Sequence, residues 1–151
     1  MTTFEDWVAI QNLMFEYAEH VNLGRFEALG ELFRHGRVSI EGNPMVSTGA
    51  DEVAAMYRES TRVREGSPDS LLYTTNVRIT VSNDTAMARS YFCALHQKSD
   101  KAIAPVVGGR YHDTFRRHEA GWAFEHRHMY VDLVGDLGEH ISRPIEDYLS
   151  G

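Results

Sequence analysis

The chain has 151 residues, of which 42% are hydrophobic, and a formal net charge of −7. This length suits one domain with a sizeable core, and the acidic balance argues against nucleic acid or an anionic membrane as a main partner. The single cysteine, Cys93, excludes an internal disulfide and suggests a reducing, cytoplasmic location. The N-terminal MTTFEDWVAI has no basic region and no long apolar run, so we expect neither a signal peptide nor a membrane span.

The first half of the chain predicts helices. Apolar residues that recur at helical spacing define the inward side of a long first helix: Trp7, Ile10, Met14, Tyr17 and Val21. A loose capping box formed by Thr3 and Asp6 starts this helix, and Gly24 ends it. The elements predicted next are a helix over 25–33, a strand over 37–41, a loop over 42–49 and a helix over 50–65.

After residue 70 the apolar period changes to two, which is typical of β-strands. Four strands are predicted, over 71–81, 85–97, 106–117 and 122–134. Hairpin turns and one longer connection over 99–105 join them. Helices followed by a strand meander favour an α+β fold, with helices on one face of a bent antiparallel sheet. We expect one domain over 1–135 and a loosely docked polar tail over 136–151.

The last predicted strand contains a change in apolar parity. Its apolar residues stand at even positions first, Trp122 and Phe124, and then at odd positions, Met129, Val131 and Leu133. A one-residue slip of this kind indicates a β-bulge. A bulge near residues 125–126 would place the odd positions, Arg127 included, on the inner face and turn His128 outward.

The bulge predicts which residues face each other across the last hairpin. Phe124 should lie opposite Phe115, and Arg127 opposite Asp113. Further along, the pairing brings Met129 opposite Tyr111 on the inner face. The Asp113–Arg127 pair is either a structural tie or a ligand site. In the second case Arg127 binds an anionic or carbonyl oxygen while Asp113 holds its guanidinium.

Three segments carry a family resemblance: IQNLMFEYAEHVNLGRFEALGELF, LLYTTNVRI and GRYHDTFRRHEAGWAFEHRHMYVDLVGDL. They resemble the SnoaL-like branch of the nuclear transport factor 2-like superfamily, which includes scytalone dehydratase, hexachlorocyclohexane dehydrochlorinase and polyketide cyclases. The resemblance implies a cone-shaped, cystatin-like α+β fold, in which a curved mixed or antiparallel sheet wraps around the long N-terminal helix. It implies one apolar pocket with Arg127 in its wall, and association into a homo-oligomer, a dimer or a trimer.

The carboxylate–histidine dyad of these relatives is missing from the sequence. By resemblance, Asn22 stands at the carboxylate position and Leu72 at the histidine position, and leucine cannot take a proton. Asn76 matches a polar residue that positions a strand. With a shift of one residue, His96 matches a pocket histidine that orders water and substrate in scytalone dehydratase. The alternative for His96 is a rim histidine without a role.

Three other histidines could in principle bind zinc on the outer face of the sheet: His112, His126 and His128. No carboxylate at a suitable spacing completes the set, so we expect no metal site. We also expect no cofactor.

Three functions remain open for a pocket that takes a small polar-aromatic or polyketide-like ligand. The first is a cofactor-free lyase or isomerase with His96, Asp113 and Tyr17 as its acid–base set. The second is a binding protein without chemistry, and the third an accessory subunit resembling the small subunit of ring-hydroxylating dioxygenases. The residues predicted to bind the ligand are Asn22, Leu72, Asn76, Tyr111, Arg127 and Met129.

Overall fold

The structure of the protein, a computed structural model, describes residues 3–137. Within this range three helices form, α1 (Phe4–Leu23), α2 (Phe26–Glu31) and α3 (Gly49–Ser60). The strands of the same range are β1 (Arg37–Ile40), β2 (Val46–Thr48), β3 (Val63–Arg64), β4 (Ser67–Pro68), β5 (Ser70–Ser82), β6 (Thr85–Gln97), β7 (Ile103–His118) and β8 (Gly121–Val134). The predicted tail lies outside the described residues except for 136–137. None of the helices within 3–137 combines the length and the apolar character needed to cross a membrane.

Helix α1 begins and ends as the sequence predicts. The Thr3 hydroxyl accepts a hydrogen bond from the Asp6 amide at 3.2 Å, and the Asp6 carboxylate accepts one from the Thr3 amide at 3.2 Å. Gly24 closes the helix in the left-handed conformation, with φ 66°. The core position predicted for Trp7 is wrong. Its side chain is only half-buried, because it stacks on the exposed Phe4 in the first turn.

The main sheet has six strands in the order β2-β1-β8-β7-β6-β5, and only the β1–β8 pair is parallel. Helix α1 packs on the inner, concave face, where β6 contributes small side chains and one aromatic ring, with His96 at its end: Ala86, Ala88, Ser90, Phe92, Ala94 and His96. These small residues leave room for the helix. The opposite, outer face carries Met87, Arg89 and Tyr91. The predicted α+β fold, with a curved sheet around a long helix, is confirmed.

Two predictions between residues 42 and 68 are wrong. The helix predicted over 50–65 ends at Ser60, because Thr61 is already extended, with φ −90° and ψ 122°. Further on, Glu65 and Gly66 adopt left-handed φ values of 50° and 83°. Two left-handed residues form a tight hairpin turn, here between β3 and β4. The loop predicted over 42–49 contains β2, which pairs with β1.

The connection predicted over 99–105 is shorter, because β7 already begins at Ile103.

The bulge predicted in β8 is confirmed. Phe124 pairs with Phe115 and Arg127 with Asp113, so two residues of β8 face the single residue Thr114 of β7 between these pairs. Past the bulge, the odd positions of β8 turn to the inner face, as the apolar parity predicts.

A second bulge in β8 was not predicted. Val131 pairs with Gly109 and Leu133 with the adjacent Gly108, so Asp132 is the extra residue. The slip turns Leu133 outward, where 73% of its surface is exposed. The inward position predicted for Leu133 is therefore wrong.

Candidate functional site

A cavity of about 210 Å³ lies between the inner face of the sheet, α1 and α3. Its lining is mainly aliphatic and aromatic, with the hydroxyls of three tyrosines and of a few serine and threonine residues. The lining residues are Tyr17, Val21, Ile40, Met56, Tyr57, Ser60, Thr61, Ser70, Leu72, Phe92, Ala94, Val107, Tyr111, Met129, Val131 and Leu137. An apolar cavity with a few convergent polar groups is the usual form of a small-molecule site.

Three tyrosines from three elements form a phenol cluster in this cavity: Tyr17 of α1, Tyr57 of α3 and Tyr111 of β7. The hydroxyls of Tyr17 and Tyr57 are hydrogen-bonded to each other. The ring of Tyr17 meets both other rings edge to face, with centroid distances of 5.8 Å in each case. Tyr17 reaches this position because it continues the inward stripe of α1 after Ile10 and Met14.

Two members of the phenol cluster, Tyr57 and Tyr111, are held in the neutral form. Burial raises the pKa of Tyr57 and of Tyr111 well above the usual range, and the neighbouring Tyr17 adds to both shifts. Both side chains are therefore protonated at neutral pH and can donate hydrogen bonds. Neutral phenols in an apolar wall suit an oxygen acceptor on a ligand, either a carbonyl or a hydroxyl.

The buried Asp113–Arg127 pair lies behind the phenol cluster. Nε of Arg127 donates to Oδ1 of Asp113 at 2.9 Å, and Nη2 donates to Oδ2 at 2.7 Å. Both side chains are fully buried. The guanidinium carbon lies 4.0 Å from the ring centroid of Tyr17 and 3.9 Å from that of Tyr111. Aromatic faces attract a cation at such distances, so the pair and the phenols form one packed unit.

The charge of Arg127 is stable in this environment. Burial alone would lower the pKa of the guanidinium, but the carboxylate of Asp113 outweighs that effect and raises the pKa above its ordinary value. Nη1 of Arg127 is buried and has no hydrogen-bond partner among residues 3–137. The aromatic rings of Tyr17, Tyr111 and Phe124 surround the guanidinium instead, at 3.9–4.9 Å.

A close backbone approach shapes the wall of the cavity. The ring of Phe92 stacks on that of Tyr111 with centroids 4.5 Å apart. A Cβ atom at Gly109 would lie 2.0 Å from the carbonyl oxygen of Tyr130 and 2.9 Å from the ring of Phe92. Only glycine fits at this position, and its missing side chain gives Phe92 the space to line the cavity.

Asn22 and Leu72, which stand at the family dyad positions by resemblance, are brought together by the structure. Nδ2 of Asn22 donates to the carbonyl oxygen of Leu72 at 2.8 Å, and Oδ1 accepts from its amide at 2.6 Å. Because β5 is an edge strand of the main sheet, the amide of Asn22 takes the place of a further strand. An aspartate could accept from the Leu72 amide but could not donate to its carbonyl.

The residues predicted to form the site divide into two groups. Tyr17, Leu72, Tyr111 and Met129 line the cavity, whereas five others are not among the lining residues: Asn22, Asn76, His96, Asp113 and Arg127. Asn76 is exposed in a bulge of β5 with φ 54°, a conformation that asparagine tolerates. His96 is buried at the end of β6, opposite Ser70 and two positions beyond the lining residue Ala94.

The sequence interpretation missed Tyr57, Met56 and Ile40 as lining residues. A signal for Tyr57 exists, because it follows the buried Val53 by four positions on the same side of α3. The local sequence pattern does not indicate which part of the sheet α3 packs against. That packing determines what Met56 contacts.

The outer face holds a polar network instead of a metal site. Oγ of Ser39 bonds Nε2 of His126 at 2.7 Å and Nδ1 of His128 at 2.6 Å. Nε2 of His128 bonds a carboxylate oxygen of Glu41 at 2.8 Å. Within the described part of the chain, no group of three or more His, Cys, Asp or Glu side chains is arranged to hold a metal ion.

The curved sheet and the enclosed helix give the chain the cystatin-like fold of solved structures, one of them a nuclear transport factor 2-like protein. The SnoaL-like domain family matches residues 2–128, and the chain belongs to this family. A search of curated proteins finds no match.

Solved structures of similar fold come from several bacteria. A nuclear transport factor 2-like protein of Novosphingobium aromaticivorans has a TM-score of 0.72 and 23% identity, over 84% of this chain and 82% of the other. A protein of the same organism, provisionally described as a scytalone dehydratase, has a TM-score of 0.69 and 24% identity over 92% of both chains. A third, provisionally described as an aromatic ring hydroxylase, has a TM-score of 0.71 and 25% identity over 91% of this chain and 97% of the other.

Proposed function

We propose that the protein binds a small, largely apolar organic molecule, such as a polar-aromatic or polyketide-like compound, in the 210 Å³ cavity. The observation that carries this proposal is the phenol cluster at the end of an otherwise apolar wall. One oxygen of the ligand accepts a hydrogen bond from this cluster, and the ligand's apolar body packs against Leu72, Phe92 and Met129. We also propose a cytoplasmic location, in keeping with the single cysteine.

The chemistry of the lining favours binding without turnover. The described lining contains no histidine, aspartate, glutamate, lysine or cysteine, the side chains that most often serve as a general base. A general base must lie within hydrogen-bond reach of the proton that it removes. Asp113 is engaged by Arg127 and does not line the cavity.

A cofactor-free lyase or isomerase is the second candidate function. The observation in its favour is that neutral phenols backed by the Arg127 cation can polarise a carbonyl oxygen. Tyr17 would act at this oxygen, and His96, on the inner face beyond Ala94, would supply the base, with Asp113 orienting the guanidinium. A structural relative provisionally described as a scytalone dehydratase agrees with this chemistry.

The usual dyad route of dehydratases and dehydrochlorinases is not expected here. Leu72 has no proton-accepting group, and the amide of Asn22 is engaged by the Leu72 backbone. An accessory role beside an oxygenase is the third candidate, and similarity to a protein provisionally described as an aromatic ring hydroxylase agrees with it.

Binding can be tested with the neutral fluorescent probe N-phenyl-1-naphthylamine. Leu72→Trp fills the cavity and should weaken probe binding at least tenfold, about 1.4 kcal/mol. Leu71→Trp is the matched control, because the neighbouring side chain is half-exposed on the opposite face of β5. Equal probe affinity in the wild type and Leu72→Trp would contradict the proposal.

Turnover separates the first two candidates. The wild type is incubated with an enolisable ketone that displaces the probe, and the exchange of its α-protons with solvent deuterium is followed by NMR. Exchange that disappears in both His96→Ala and Tyr17→Phe would favour the enzyme. Saturable binding without exchange would favour the binding protein.

A further inference from the structure

A second cavity of about 320 Å³ adjoins the proposed binding site. It lies between β1, β2, the turn that connects these two strands, and α3. Its lining residues are Val38, Ser39, Ile40, Asn43, Met45, Val46, Ser47, Glu52, Ala55, Met56, Glu59 and Ser60. Three of these, Ile40, Met56 and Ser60, also line the first cavity, so they form the wall between the two.

Helix α3 presents a different side to each cavity. Glu52, Ala55 and Glu59 follow one another at helical spacing and line the second cavity only. Tyr57 lines the first cavity only. Met56 lies between these two sides and is shared, as is Ser60 one turn later.

Met56 is the conformationally flexible residue in the wall between the cavities. A methionine side chain has no branch and several rotatable bonds, so it can change rotamer without moving the backbone. Met56 is half-buried and packs against the edge of the core, whereas Tyr57 beside it is buried and hydrogen-bonded to Tyr17. A rotation of Met56 would join the cavities and leave the phenol cluster in place.

The two cavities differ in chemistry. The first is aliphatic and aromatic apart from its phenols and a few other hydroxyls, whereas half of the second cavity's lining residues are polar. The second cavity contains the carboxylates of Glu52 and Glu59 and no lysine or arginine among its described lining residues. The Glu52 carboxylate is held in place by the Thr48 amide, which donates to Oε2 at 2.8 Å.

We propose that the two cavities are consecutive compartments of one binding site, and that Met56 is the movable wall that sets the length of ligand accepted. This inference rests on the proposed function of the first cavity. The ligand class is an elongated molecule that has an oxygen at the phenol cluster, an apolar middle section and a second polar end without negative charge. That second end lies beside Asn43 and Ser47.

A length series of 1-alkanols tests the connection by displacement of N-phenyl-1-naphthylamine. Affinity should rise about threefold to fourfold for each added methylene as long as that methylene is buried. If the Met56 side chain changes rotamer, the affinity of the wild type continues to rise for alkanols longer than those that fill the first cavity. Met56→Trp blocks the passage, so its affinities should reach a plateau at a shorter chain length than in the wild type.

A second variant fills the far compartment without touching the wall. Ser47→Trp places a large ring in the second cavity from β2, and Ser47 does not line the first cavity. It should cause the same early plateau as Met56→Trp. Circular dichroism and thermal melting identify a variant that fails to fold, and either variant alone is sufficient for the comparison.

The end group is tested at a fixed chain length that reaches the second cavity. An α,ω-alkanediol should bind more tightly than the ω-hydroxyalkanoate of the same length, because Glu52 and Glu59 repel a carboxylate. Glu52→Gln should reduce this preference at least threefold, while the affinity for a short alkanol stays as in the wild type.

Each result either supports or overturns the inference. A chain-length profile that is the same in the wild type, Met56→Trp and Ser47→Trp means that the second cavity is not used, and the inference is wrong while the first cavity still binds. A wild type that binds neither the probe nor any short alkanol contradicts the proposed function itself, and the inference is lost with it. An early plateau in both variants, with short alkanols bound by Ser47→Trp as by the wild type, supports both the inference and the proposed function.

Discussion

Arg127 is a fully buried cation held by two hydrogen bonds to a fully buried carboxylate. Arg127→Met keeps most of the apolar stem but leaves Asp113 without its partner. Breaking a buried pair in this way should cost about 3–5 kcal/mol of unfolding free energy. Asp113→Asn combined with Arg127→Met should cost less than the sum of the two single changes, because no orphan charge remains.

This double-mutant cycle is measured by urea denaturation. The matched control is the exposed pair Arg116–Glu125 on the same two strands, with an N–O distance of 2.9 Å. Arg116→Met should cost less than about 1 kcal/mol, since an exposed pair contributes little. Additive changes at Asp113 and Arg127 would show that the two side chains are not coupled.

His126, on the outer face of the sheet, should make the free energy of unfolding depend on pH under mildly acidic conditions. Burial lowers the pKa of His126, and the charges of Arg37 and His128 act in the same direction. An unfolded histidine has a pKa near 6.5, so just below that pH the unfolded chain binds more protons than the folded protein. The free energy of unfolding should therefore fall as pH falls through about 6.5, and level off below the lowered folded pKa.

His126→Gln should flatten this dependence between about pH 7.5 and about pH 5.5, because glutamine does not titrate. Its amide can still bond the Ser39 hydroxyl. Part of the slope should remain, since burial also lowers the pKa of His112. Unfolding free energies measured in urea at several pH values give both slopes, and identical slopes in the two proteins would contradict the prediction.

At the scale of elements, the inner face of the sheet is joined to the helical layer by aromatic stacking. Phe124 of β8 is fully buried between Phe33 and Phe115, with ring centroids 4.6 and 4.7 Å away. Phe124→Ala should cost about 3–5 kcal/mol as a large core truncation. Trp7→Ala should cost much less, on the order of 1 kcal/mol, because the Trp7 ring is half-exposed against Phe4.

Thermal melting of both variants measures this difference. Phe124→Ala should lower Tm strongly and Trp7→Ala only slightly. Equal losses would mean that the first turn of α1 contributes to the core as much as β8 does.

Local signals explain which elements could be predicted from the sequence. The capping box and Gly24, which begin and end α1, depend only on residues close in sequence. The parity change between Phe124 and Met129 indicates the first bulge of β8. Strand β2 has three residues and exists only because β1 lies beside it, so no local period indicates it. The second bulge was missed because Leu133, though apolar, is turned outward.

The candidate site was predictable only where it depends on strand register. Register placed Tyr111 opposite Met129 and Asp113 opposite Arg127, as the structure has them. It could not show that aromatic rings cover Arg127, or that α3 brings Tyr57 to Tyr17. Those contacts depend on how the helices pack on the sheet, and no periodic pattern in the sequence indicates that packing.

At the scale of the whole molecule, the outer face of the sheet carries exposed apolar and aromatic side chains among its charged residues and histidines. Met87 and Tyr91 are 61% and 52% exposed on β6. Tyr91 lies beside Arg110, which in turn packs on the ring of Tyr130 at 4.5 Å. Exposed apolar and aromatic side chains interspersed with charged residues are found at protein interaction sites.

We therefore expect the protein to form a homo-oligomer, a dimer or a trimer, through this outer face. Sedimentation velocity at micromolar concentration should give a mass that is a multiple of the 17.2 kDa chain. Met87→Glu combined with Tyr91→Glu should release the monomer, because two buried carboxylates would face an apolar partner surface. Phe15→Glu is the matched control, since Phe15 is 42% exposed on α1, away from the outer face, and its change should leave the assembly intact. A monomeric wild type would contradict oligomerisation, and an assembly that survives the double change but not Phe15→Glu would place the contact on the helical side instead.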